Sequence, residues 1–84
     1  MDNKKIEETV LDILEEVCDD PVVREQPDIN LPEEDLIDSL GYMQLLFELE
    51  DRLGIVIAPT EYTREQMDTP AKIVSVVKGK AAEK

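Results

Sequence analysis

In the stretch DLIDSLGYMQLL an acidic loop gives way to a helical pattern, and the serine at that junction, Ser39, is the residue best placed for chemistry. Its hydroxyl could cap the helix, accept a phosphoryl group, attack a substrate, or serve as an attachment point. Attack at neutral pH requires a base to take the hydroxyl proton. The chain contains no histidine, so a Ser-His-Asp triad is impossible. The neighbouring carboxylate of Asp38 is too weak a base for the task. Ser39 is therefore not expected to be a catalyst of its own. A capping role stays open, because a serine ahead of a helix satisfies a free amide.

Other chemistries fail on residue type or spacing. Cys18 is the only cysteine, so neither an intramolecular disulfide nor a thiolate cluster for zinc can form. The acids in DINLPEEDLIDS suggest calcium, but an EF-hand loop needs glycine sixth and glutamate twelfth. Counting from Asp28 puts Glu33 sixth and Ser39 twelfth. No protein metal site is expected. Without a glycine-rich phosphate loop either, an enzyme is the least favoured class.

The elements that must position Ser39 are bounded by size and charge. At 84 residues the chain makes one domain with a modest core and no room for a cleft between domains. Asp and Glu outnumber Lys and Arg 21 to 9, a formal charge of -12. Such a field repels nucleic acid and anionic membrane and attracts basic protein surfaces. The hydrophobic fraction of 42% is too high for a disordered acidic chain. MDNKKIEETV lacks the apolar run of a signal peptide, and no later run approaches the ~20 residues that span a bilayer. The expected product is a cytoplasmic monomer without membrane insertion.

Hydropathy periodicity places the helices. Ile6, Val10, Ile13, Leu14 and Val17 recur at spacings of three and four, marking an amphipathic first helix. Cys18 falls at the edge of that stripe, as a half-buried structural thiol. From Asp19 to Asp38 the prolines at 21, 27 and 32 break the pattern, and Val22, Val23, Ile29, Leu31, Leu36 and Ile37 pin a long loop to the core. Loops of that length in small domains tend to be functional. A helix opens at Ser39 and runs to about Leu53, with Gly54 placed to end it. GIVIAP is extended, TEYTREQM supplies a short helical turn, and Thr69 with Pro70 starts a last helix. The four residues Ile73, Val74, Val76 and Val77 are β-branched, which leaves a strand as the alternative there. The fold class is an all-α four-helix bundle with a long first loop and a short third helix. Its core spans residues 4–78, and residues 79–84 form a fraying, flexible tail.

Winding Ser39 to Leu53 at ~100° per residue gathers Tyr42, Leu45, Leu46, Leu49 and Leu53 on one core face. Leu40, Met43 and Phe47 land opposite, beside Gln44, Glu48, Glu50 and Asp51. A helix apolar on both sides is either buried on both or offers one side to a partner. In the first case the loop or the short third helix covers the second stripe. In the second, apolar anchors ringed by acids make a docking patch for a basic partner.

The order of first helix, long loop, LIDSLG, second helix, short third helix and last helix resembles the acyl and peptidyl carrier proteins over nearly the whole chain. In those families a serine in the DSL motif bears 4'-phosphopantetheine. Gly41, the run from Glu48 to Arg52, and Thr60 to Tyr62 make the chain most similar to the D-alanyl carriers of the Gram-positive envelope. The resemblance implies a covalent 4'-phosphopantetheine arm on Ser39, taken from coenzyme A by a phosphopantetheinyl transferase that brings the general base and magnesium. Asp38 would help hold that metal or a basic transferase residue. The positive end of the helix would favour the resulting anion. It also implies D-alanine loaded by an adenylating ligase and passed to a downstream acceptor or membrane transferase for teichoic acid. Leu40, Met43, Gln44, Phe47, Glu48 and Asp51 would meet these partners. Gln44, Gly54 and Met67 depart from the pattern, where an acid, an aspartate and an aromatic residue are usual. Carriers of fatty acid, polyketide or nonribosomal peptide synthesis are the alternative, and a helical interaction domain without a prosthetic group is the rival outside the family.

Overall fold

A computed structural model describes residues 2–83; Met1 and Lys84, the limits expected for the domain, lie outside them. Helix α1, Asn3–Cys18, begins where Asp2 accepts a hydrogen bond from the Lys4 amide at 2.9 Å. Its side chains at three- and four-residue spacing, Ile6, Val10, Ile13 and Leu14, have no exposed surface. It ends at Asp19 in a left-handed conformation, φ 54, which aspartate tolerates better than most residues.

The long loop holds an element that the sequence reading does not anticipate. Helix α2, Val22–Glu25, follows Pro21, and the Asp20 side chain accepts from the Val22 amide at 3.0 Å. Its buried residue is Val23. Arg24 reaches back to α1, pairing with Glu15 at 2.7 Å and with Asp12. Downstream, the Leu31 amide donates to the Asp68 carbonyl at 2.8 Å and the Ala71 amide to the Pro27 carbonyl at 3.0 Å. These bonds fasten the loop to the start of the last helix. Val23 and Leu31 are fully buried, and Ile29, Leu36 and Ile37 pack partly against the core. Five of the six anchors expected from the sequence therefore pin the loop, and Val22 is not among the side chains packed on the core.

Helix α3, Ser39–Leu53, ends at Gly54 with φ 66, a left-handed position that suits glycine and admits aspartate. The departure at Gly54 thus leaves the turn intact. Residues 55–58 have no regular secondary structure, with Ile55 and Ile57 buried and Val56 exposed. A 3-10 turn at Arg64–Gln66 is the short third helix. Helix α4, Pro70–Ala82, opens with the Thr69 hydroxyl accepting from the Lys72 amide at 3.2 Å and with proline in the first turn. Its β-branched residues are helical because the stripe of Ile73, Val74 and Val77 fits the core at helical spacing. The helix also runs on through Gly79 to Ala82, past the point where fraying is expected. Lys80 pairs with Glu61 and lies 5.8 Å from the centre of the Tyr62 ring, and Ala81 packs on the core. The described part of the expected tail, residues 79–83, is thus mostly helix. There is no strand among the described residues, and α1 packs against α2, α3 and α4.

Candidate functional site

At the start of α3 the cap falls on Asp38, one residue before the position suggested by the sequence. Asp38 has extended backbone, and its Oδ1 accepts from the Gly41 amide at 2.8 Å. Its carbonyl accepts from the Tyr42 amide at 2.8 Å. Ser39 is consequently the first helical residue. Either residue type caps well, but the carboxylate reaches the third amide from the extended position and the hydroxyl is released from that duty. Ser39 is exposed, and its hydroxyl makes no hydrogen bond among the described residues. The amides of Ser39 and Leu40 have no acceptor there either, as the first amides of a helix do not.

Gly41 lets α3 approach its support closely. A Cβ there would lie 3.1 Å from Ile37 and 3.2 Å from Val17. The glycine thus allows the first turn, with Ser39 at its rim, to settle against α1 and the end of the loop.

A groove of about 400 Å³ begins beside Ser39. Its walls are Ile37, Tyr42 and Met43 on one side, and Pro59, Tyr62 and Met67 on the other. Asp38 and Arg64 are its charged members. Met67, where the resemblance leads one to expect an aromatic residue, is only 3% exposed. Burial pushes the Tyr42 phenol above its usual range.

The second stripe of α3 is uncovered: Leu40 is 80% exposed, Phe47 66% and Met43 39%. Neither the loop nor the 3-10 turn closes over it. Gln44 and Asp51 are exposed on the same helix. Glu48 is tied to Arg52 at 2.8 Å, and Arg52 also grips Glu16 of α1, so its carboxylate already has a partner. Sequence reasoning missed Val56, which is 63% exposed and shares a second groove of about 220 Å³ with Met43 and Phe47. It lies beyond Gly54, outside the periodicity of α3, and only its isolation between Ile55 and Ile57 hints at an outward side chain. Pro59, Tyr62 and Arg64 were missed as neighbours of Ser39 for a different reason: they are 20 or more residues away in the chain.

Cys18 is half-buried, as expected, and burial with the nearby Asp20 charge pushes its thiol up to about 11. At neutral pH it is an inert structural thiol.

The family model described as the phosphopantetheine attachment site matches residues 8–77. The chain belongs to this carrier family. Relatives named D-alanyl carrier protein include one from Abiotrophia defectiva, 49% identical over 77 residues covering 92% of this chain and 98% of the relative. One from Bacillus velezensis is 44% identical over 84% of this chain and 91% of the relative. One from Bacillus subtilis is 47% identical over 79% and 85%. This carrier is thus a member of the group that the D-alanyl carrier proteins form, a family that carries rather than catalyses. The surroundings of Ser39 fit the family's prosthetic group. The hydroxyl is exposed and unbonded, two unengaged amides sit where an anion would form, and an apolar groove runs away from it. No helix among the described residues is long and apolar enough to cross a membrane.

Proposed function

We propose that this carrier holds D-alanine as a thioester on a 4'-phosphopantetheine arm attached to Ser39, in the cytoplasm, for the D-alanylation of teichoic acid. The observation that carries the reading is the division of labour between Asp38 and Ser39. The cap is made by the carboxylate, so the hydroxyl can become a phosphodiester without removing any hydrogen bond from the fold. When bound, the arm supplies a terminal thiol that carries the acyl group.

The residues of the chain contribute placement. The amides of Ser39 and Leu40 stabilise the negative charge that develops at the serine oxygen. Asp38 fixes the first turn, and its exposed carboxylate is available to a metal or a basic group of the phosphopantetheinyl transferase. That enzyme takes the hydroxyl proton, since no residue of this chain can. Leu40, Met43 and Phe47, with Gln44 and Asp51 beside them, form the surface offered in turn to the transferase, to an adenylating ligase and to a downstream acyl acceptor. Serial exchange of partners requires modest affinity, and electrostatic steering supplies fast encounter.

Coexpression with a promiscuous phosphopantetheinyl transferase followed by intact mass measurement tests the attachment. The expected product has gained one phosphopantetheine, and Ser39→Ala gains none. Equal gain in the variant refutes the site. Offering the modified carrier to an adenylating ligase with a panel of amino and fatty acids tests the cargo, with D-alanine expected to load.

A further inference from the structure

Among the three arginines, Arg64 stands apart. Arg24 holds Asp12 and Glu15, and Arg52 holds Glu16 and Glu48. Arg64 makes no ion pair or side-chain hydrogen bond among the described residues, in a protein with 21 acidic side chains. It lines the groove that begins at Ser39.

The turn that bears it is fixed from several sides. Gln66 Oε1 accepts from the Thr63 amide at 2.8 Å, closing a capping box. The Met67 amide donates to the Arg64 carbonyl at 3.0 Å, and Lys72 Nζ donates to the Glu65 carbonyl at 2.9 Å. Met67, next after the turn, is buried. An unpaired guanidinium on a fastened turn, lining the same groove as the first residue of α3, is suited to a phosphate oxygen, which arginine binds in planar two-point geometry.

We infer that Arg64 is a positioning residue for the phosphodiester on Ser39, drawing the arm into the groove over Tyr42, Met43 and Met67. This rests on the attachment proposed above. Arginine supplies a third source of positive potential beside the two amides, and the apolar walls offer the pantetheine chain a surface. The arm is then partly seated against its own carrier between visits to partners. Salt opposes the seating, because the contact lies at the surface.

The test uses the full chain as wild type, Arg64→Gln and Arg64→Lys, each driven to complete modification with excess transferase and verified by intact mass. Two quantities are read: the phosphorus-31 resonance of the phosphodiester, and the alkylation rate of the terminal thiol, distinguished from Cys18 by peptide mass mapping. In Arg64→Gln the resonance moves toward that of free phosphopantetheine. Alkylation quickens roughly two- to fivefold at low salt, the scale of one exposed ion pair. Arg64→Lys restores part of both effects, and high salt removes the difference between variants. The unmodified Arg64→Gln protein melts close to wild type, since the side chain has no ion pair to lose and only one charge in the whole-molecule balance changes. Identical resonances and rates in fully modified wild type and Arg64→Gln overturn the inference while leaving the attachment standing. Failure of wild type to accept the arm overturns both.

Discussion

Two adjacent side chains divide the work at the start of α3: Asp38 holds the helix and Ser39 is left free. Replacing Asp38 with alanine removes the cap and is expected to cost about 1 kcal/mol in urea unfolding. Asp38→Asn, which can still cap, loses much less. Ser39→Ala, by contrast, shifts stability by less than about 0.5 kcal/mol although it abolishes modification. A serine that mattered only to the helix would behave the other way round. Cys18 makes a separate prediction. Its thiol is raised from 9.0 to about 11 in the folded chain, so between those values the folded state binds more protons than the unfolded one. The stabilisation is complete below about pH 9 and is lost as pH rises toward 11. The urea midpoint of wild type should therefore fall more steeply over that interval than that of Cys18→Ala, and equal slopes would show that Cys18 is not the source.

On α3 as an element, the two apolar faces differ in burial. Leu45 and Leu49 have no exposed surface, whereas Phe47 between them is two-thirds exposed. Leu49→Ala should cost 2–5 kcal/mol or thereabouts through lost burial and a cavity. Phe47→Ala should change stability by less than about 0.5 kcal/mol and weaken binding to partner enzymes, measured by titration calorimetry. Both faces were legible in the sequence because a 3.6-residue period separates them without tertiary information, and Gly54 marked the end of the helix. Helix α2 was not legible: four residues after Pro21 are too few to show a period. The cap was displaced by one residue because aspartate and serine stand side by side and both cap well. The continuation of α4 beyond Gly79 depends on Lys80 reaching Glu61 and Tyr62, contacts that local propensity does not encode. The groove at Ser39 was invisible for the same reason, since its far wall comes from residues 59–67.

Over the whole molecule, charge is uneven. Between Arg24 and Arg52 there is no lysine or arginine, while nine acidic residues occupy the interval. Arg24 ties α2 to α1, Arg52 ties α3 to α1, and Lys78 pairs with Glu7 across α4 and α1. These pairs consume much of the positive charge and leave the acidic excess of the chain as a whole unneutralised. Self-repulsion should therefore limit stability, and raising salt or adding magnesium should raise the melting midpoint. An unchanged or falling midpoint would mean that the local pairs already compensate.

Because the carboxylate of Asp38, and not the serine, completes the helix, the proposed attachment of a group at Ser39 and its removal should leave the backbone unaltered. A hydrolase that strips the phosphodiester should return an intact, reusable chain with no refolding step. On the proposed attachment, occupancy of the serine would follow the supply of coenzyme A, while the scaffold outlives many cycles of filling and emptying.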